Sequence, residues 1–202
     1  MTTANVITMG RLGLIPLFVV ALEYHRHTGM EWARWAALVS FGLAAVLDGV
    51  DGWVARRYQQ MTELGALLDP MADKLLLVSA LVLLTWSESR LPHLPPFLLG
   101  LALLRDLLLT VGFIGLRWMT GGPQVRPHWS GKLATVCQMA TVMWTLAAQS
   151  RSGQWILAVA ASALTVVSGL WYLGQGIQQG RDSAHHRRSG PWLVAPQPKK
   201  RV

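Results

Sequence analysis

Apolar residues gather in six long runs along the chain, each ended by a short polar or charged cluster. The runs predict spans at Thr8–Tyr24, at Trp35–Val50, up to about Trp86, at Phe97–Trp118, at Leu133–Ala148 and at Trp155–Leu173. The third carries Asp69-Pro70 in its first turns. At about 1.5 Å of rise per residue, runs of this length suit roughly 30 Å of hydrocarbon. Pro16, inside the first run, is tolerable as a kink. Polar stretches at His25–Arg34, Arg57–Glu63, Ser87–Pro96 and Thr120–Lys132 separate the runs, the last being the longest. The expected fold is therefore all-α: a polytopic membrane protein with six transmembrane helices in one bundle, both termini cytoplasmic. Residues 1–175 would form the membrane domain and residues 176–202 a basic, flexible C-terminal tail, poor in apolar residues. No internal repeat is visible. Residues 1–7 lack a basic n-region and a small-residue cleavage site, so no removable signal peptide is expected.

Composition agrees with a membrane setting and narrows the partners. Of 202 residues, 52% are hydrophobic and only 14% charged. The mean hydropathy of +0.35 is modest because the polar C-terminus dilutes it. A net charge of +8 invites a nucleic-acid reading. The basic residues, however, lie between apolar spans rather than along a groove with stacking aromatics, so anionic lipid and phosphate suit them better. With Cys137 the single cysteine, no disulfide within the chain and no thiolate metal site can form. Six spans put both termini on one side. That side holds thirteen Lys and Arg against four on the other, with Arg105 inside a span, which places the termini in the cytoplasm. Trp32, Trp35, Trp53, Trp86, Trp118, Trp129, Trp155 and Trp171 fall near span ends, as an interfacial belt would. His185 and His186, adjacent in the basic tail, carry no specific expectation.

Against this background four of the six aspartates crowd into 26 positions: Asp48, Asp51, Asp69 and Asp73. At about 100° per residue Asp48 and Asp51 share a helix face with Ala55, and Gly65, Asp69 and Asp73 share another by stepping in fours. Facing each other, the two helices would bring four carboxylates to one seam beside an apolar layer. Gly49, Gly52 and Gly65 remove side chains there, leaving room for a helix or a ligand. Such anions repel unless cations intervene, and an all-oxygen donor set suits Mg²⁺ or Mn²⁺. Capping or solvated loop aspartates are the plainer alternative, since Asp-Gly pairs mark turns. Turn duty does not call for two same-face pairs flanked by long apolar runs. Two cations beside a lipid phase would suit a diphosphate substrate.

The spacing D-x2-D-G-x2-A-R-x8-G-x3-D-x3-D, filled by Asp48, Asp51, Gly52, Ala55, Arg56, Gly65, Asp69 and Asp73, resembles the signature of the CDP-alcohol phosphatidyltransferase family. The similarity extends to Asn5, Thr8 and Arg11 and to the six-span layout, covering most of residues 5–175. The resemblance implies transfer of a phosphatidyl group from CDP-diacylglycerol to an alcohol with release of CMP, on the cytoplasmic side of the inner membrane. It implies two Mg²⁺ or Mn²⁺ ions held by Asp48, Asp51, Asp69 and Asp73, with Asp73 also the general base. Gly52, Ala55 and Arg56 would meet the CDP moiety, with Thr8 and Arg11 in the same pocket. A homodimer is usual for the family.

The acceptor needs its own contacts. Arg105 lies about a dozen residues, roughly 18 Å, inside its helix, so it should face the bundle interior. It is either an internal ion-pair partner, for instance of Asp106, or a contact for the acceptor's phosphate. Lys132 is either a snorkelling interfacial lysine or a phosphate ligand. Asn5–Phe18 looks like the members that use glycerol 3-phosphate (phosphatidylglycerophosphate synthases) and the related cardiolipin synthases of the same fold, and Asp69–Lys74 fits both. Arg105-Asp106 and Trp129–Lys132 lean towards those that use phosphatidylglycerol (cardiolipin synthases). Glycerol 3-phosphate is the acceptor expected, with phosphatidylglycerol the alternative. Two readings from outside the family, an Asp-rich prenyltransferase and a divalent-cation transporter, fit less well. The first lacks its paired-aspartate cluster, and the second would want carboxylates near mid-membrane.

Overall fold

A computed structural model describes the backbone of residues 3–58, 63–86, 91, 93–120 and 129–188, and side chains over 9–49, 71–86, 91, 93–112, 114, 129–176 and 178. Among the described residues the chain is all-α, with six helices: α1 (Thr3–Thr28), α2 (Glu31–Tyr58), α3 (Glu63–Thr85), α4 (Pro96–Thr120), α5 (Trp129–Leu146) and α6 (Arg151–Arg188). Successive helices turn back through short connections. α1 ends on Gly29, whose φ of 69° is the left-handed state glycine adopts without penalty. Its N–H reaches the His25 carbonyl at 2.8 Å, closing the last turn. α4 opens on Pro96, where the missing N–H costs no helical hydrogen bond.

The helices outrun the apolar spans. α2 continues beyond Val50 to Tyr58, so Asp48, Asp51 and Ala55 lie on one helix, as their spacing implies. α6 passes the expected tail boundary at 176 and runs to Arg188, with no proline between Arg151 and that point to stop it. Residues 189–202 lie outside the described residues. Among the described residues nothing stands within 4 Å of where a Cβ on Gly49 would be.

α1 packs on α2 and α3, α6 packs on α4 and α5, and seams of α2 with α5 and of α3 with α4 join the two groups. The core is aliphatic: Leu76, Leu77, Ala80, Leu81 and Leu84 line one face of α3, against Phe18 and Leu22 of α1 and Phe41 of α2. The Phe18 and Phe41 rings meet at 5.5 Å. Between α5 and α6 the interior turns polar. Gln138 donates to the Thr165 hydroxyl at 2.9 Å, with Thr141, Thr145 and Ser168 buried nearby. Outward faces carry Leu43, Val46, Leu107, Val111, Val136, Ile156, Val159, Val167 and Leu170, all exposed. Branched aliphatics across the outside, with a polar seam buried between α5 and α6, suit an apolar solvent, in which packing and interhelical hydrogen bonds drive association.

Among the described residues one stretch, Arg151–Gly176 of α6, is by length and composition long and apolar enough to cross a membrane; its mean hydropathy is 1.9. Only 28% of it is buried, unlike the core helix of a water-soluble bundle. Each of the other five helices carries at least one charged residue within it, among them Arg11, Asp48, Asp73, the Arg105-Asp106 pair and Lys132. At the opposite end of the bundle, side chains catch carbonyls at helix ends and turns. Arg34 donates to the Leu146 carbonyl at 3.4 Å and Gln154 to that of His93 at 3.0 Å.

Candidate active site

Because consecutive helices run in opposite directions, the N-terminal part of each odd helix meets the C-terminal part of each even one. Arg11 (α1), Asp73 (α3) and Gly131-Lys132 (α5) therefore share an end of the bundle with Asp48 (α2) and Tyr172 (α6). Arg105 reaches the same region from the middle of α4. There a cavity of about 360 Å³ is lined by Asp48, Asp73, Arg105, Gly131, Lys132, Thr135, Val136, Met139 and Tyr172. Two of the four aspartates singled out in the sequence thus share a cavity with both candidate acceptor cations.

The charges around it are paired unevenly. Arg11 is fully buried, and its Nη1 donates to Asp48 Oδ1, an ion pair between α1 and α2. An arginine with no exposure has to be held by an anion, and Asp48 supplies one. Asp73 Oδ1 is buried and has no hydrogen-bond partner among the described residues. Lys74 turns aside, its Nζ 3.6 Å from Asp106 Oδ2. Arg105 makes two contacts: Nη1 is 3.8 Å from Asp106 Oδ1, and Nη2 donates to the Gly131 carbonyl at 3.3 Å. The two readings of Arg105 are therefore compatible, since it is ion-paired and also faces the cavity. Lys132 is exposed at the cavity wall.

Asp51, Gly52, Ala55 and Arg56 continue α2, Asp69 lies on α3 and Thr8 on α1, but the side chains of all six lie outside the described residues. Among the described residues no group of three or more His, Cys, Asp or Glu gathers as a metal site. The donors that are described nevertheless fit a hard divalent ion. They are carboxylate oxygens, and the buried, unpartnered Oδ1 of Asp73 is a donor left open to one.

Known proteins supply the context. The family profile for CDP-alcohol phosphatidyltransferases matches residues 1–167. The chain belongs to the CDP-alcohol phosphatidyltransferase family. It is 37% identical to a "Cardiolipin synthase (CMP-forming)" of Streptomyces coelicolor, over 80% of this chain and 71% of that protein. It is 35% identical to a "Probable phosphatidylglycerophosphate synthase" of Mycobacterium tuberculosis, over 87% of this chain and 81% of that one. A "CDP-diacylglycerol--glycerol-3-phosphate 3-phosphatidyltransferase" of Escherichia coli is 34% identical, over 84% and 91% respectively. The chain is accordingly an enzyme, a phosphatidyltransferase of phospholipid biosynthesis in a family of membrane proteins.

Sequence reasoning missed several members of the cavity wall. Tyr172 follows the belt residue Trp171 and drew no role of its own, and Thr135, Val136 and Met139 lie unremarked within the fifth span. Gly131 drew no role because its importance depends on Arg105, 26 positions earlier. The Lys74–Asp106 pair joins α3 to α4, and no local spacing announces it.

Proposed function

We propose that this phosphatidyltransferase is an integral protein of the cytoplasmic membrane, crossing it six times. In this reading it transfers the phosphatidyl group of CDP-diacylglycerol to glycerol 3-phosphate at its cytoplasmic face. The observation that carries the acceptor is the shared cavity: Arg105 and Lys132 line it together with Asp48 and Asp73. A compact acceptor with a doubly charged phosphate suits two cations beside a carboxylate able to take a proton. The Mycobacterium tuberculosis and Escherichia coli relatives bear names of that activity and match over the larger shares of the chain. The Streptomyces coelicolor relative favours a second reading, in which phosphatidylglycerol is the acceptor and cardiolipin the product.

Asp48 and Asp73, with Asp51 and Asp69, would hold two Mg²⁺ or Mn²⁺ ions. When bound, these would neutralise the diphosphate and stabilise CMP as leaving group. Gly52 and Ala55 leave space for the nucleotide, and Arg56 offers a forked donor to phosphate. Thr8 lies on the same helix as Arg11, which keeps Asp48 in place. Arg105 and Lys132 bind the acceptor's phosphate and aim its hydroxyl. That oxygen bonds to the phosphatidyl phosphorus, the bond to CMP breaks, and the hydroxyl proton passes to the Asp73 carboxylate. The family habit of forming homodimers is part of the same reading.

An acceptor panel tests it. Purified full-length protein with CDP-diacylglycerol and Mg²⁺ or Mn²⁺ is offered glycerol 3-phosphate, phosphatidylglycerol, inositol phosphate and serine, and CMP and the lipid product are measured. CMP release with glycerol 3-phosphate alone supports the proposal. Release with phosphatidylglycerol alone replaces it with the second reading. Metal uptake into vesicles with no CMP release under any acceptor would overturn both in favour of a transporter.

A further inference from the structure

We propose that Asp106 and Gly131 form a two-point clamp that fixes the Arg105 guanidinium at the cavity wall. They would be positioning residues for the acceptor's phosphate, a proposal that rests on the acceptor reading above. Arginine has a long, many-rotamer side chain, and restricting its tip before the ligand arrives removes part of the entropy cost of binding. Neighbouring residues on a helix point apart. An approach of 3.8 Å between Arg105 Nη1 and Asp106 Oδ1 therefore requires the guanidinium to fold back along α4. The other oxygen of Asp106 faces Lys74 at 3.6 Å, one residue beyond the candidate base Asp73. One carboxylate thus stands between two cations and ties the acceptor arginine to the helix that carries the base.

The second point of the clamp depends on a missing side chain. Arg105 Nη2 reaches the Gly131 carbonyl at 3.3 Å. A Cβ on Gly131 would stand 2.9 Å from that nitrogen, 3.3 Å from Ser168 Oγ and 3.5 Å from the Tyr172 hydroxyl. The tightest of these clashes is with the far end of a flexible side chain, not with backbone. Adding a methyl group there should leave the helices in place and displace the guanidinium. Gly131 so makes room for the arginine tip as well as for the close approach of α6 at Ser168 and Tyr172.

Steady-state kinetics of the full-length enzyme with CDP-diacylglycerol, Mg²⁺ and glycerol 3-phosphate tests the clamp. Gly131→Ala and Asp106→Asn are each expected to raise the KM for glycerol 3-phosphate about tenfold, the size of one lost hydrogen bond to a charged group. The KM for CDP-diacylglycerol and kcat should change little, and Asp106→Glu should recover part of the loss. In an Arg105→Ala background neither substitution should add anything, because both act through that side chain. Full additivity in that background would show a merely structural role and sink the proposal. If Arg105→Ala raises the acceptor KM while Gly131→Ala and Asp106→Asn do not, the clamp fails but the acceptor reading stands. If Arg105→Ala itself leaves that KM unaltered, both fail. Should Asp106→Asn not accumulate in the membrane, Gly131→Ala with and without Arg105→Ala decides alone.

Discussion

Asp48 and Asp73 line the same cavity in different company, and the difference suits different duties. Asp48 faces a buried guanidinium that holds it in place, a sound arrangement for a ligand of cations. Asp73 presents a buried oxygen that no donor among the described residues satisfies, with its neighbour Lys74 drawn off towards Asp106. A carboxylate in that position has an oxygen free to receive a proton. Asp48→Asn is therefore expected to abolish turnover while the protein stays in the membrane fraction, as activity and blotting would show. As much as a tenth of the wild-type rate at saturating Mg²⁺ would argue against a ligand role. Asp73→Asn should cut turnover by about 10²- to 10⁴-fold, the usual contribution of a general base, and weaken CDP-diacylglycerol binding far less. Equal loss of binding and turnover would remove the base assignment. The step of three from Asp48 to Asp51 and of four from Asp69 to Asp73 singled these aspartates out in the sequence, because it fixes which residues share a face, and Asp48 and Asp73 do line one cavity. The partner of Asp48 was not legible, since Arg11 lies 37 positions away and meets it only once α1 packs on α2.

Hydropathy located the six helices but not their ends. It measures the apolar thickness, whereas a helix continues until its backbone is stopped. α2 accordingly carries its aspartates inside its last turns, and α6 extends well past Leu173. Turns depend on close contacts that hydropathy does not sense, as the junction of α5 and α6 illustrates. There the Trp144 indole donates to the Ser150 carbonyl at 3.1 Å and lies over Gly153. A Cβ at that glycine would come within 2.6 Å of the ring. A rigid indole cannot yield as an arginine tip can. Gly153→Ala should thus lose the indole hydrogen bond and destabilise the protein by about 1–3 kcal/mol, the range for overpacking. A lowered unfolding temperature in detergent, with kcat at saturating substrates near wild type, is the expected result. Unchanged stability would mean the turn repacks without strain.

The molecule as a whole has an aliphatic core and an aliphatic outside, with a polar seam between α5 and α6. Gln138, Thr141, Thr145, Thr165 and Ser168 are buried, while valines, leucines and isoleucines cover the outside. The charged cavity occupies one end, and that same end receives both termini when six crossings alternate. In the proposed topology the thirteen basic residues, against four on the other side, face the cytoplasm, where anionic lipid and the proposed acceptor lie. Cys137 makes this directly testable, because it is the only cysteine to remove. In a Cys137→Ala background, single cysteines introduced as Thr2→Cys, Val202→Cys and Gln149→Cys can be labelled with a membrane-impermeant maleimide. Thr2→Cys and Val202→Cys should react in inside-out vesicles and stay protected in right-side-out cells. Gln149→Cys, exposed between α5 and α6, should show the reverse. Reaction of the two termini from opposite faces would require an odd number of crossings. That would put the alternating directions of α1 to α6 at odds with the membrane, and a cytoplasmic cavity fed by all six helices would no longer follow.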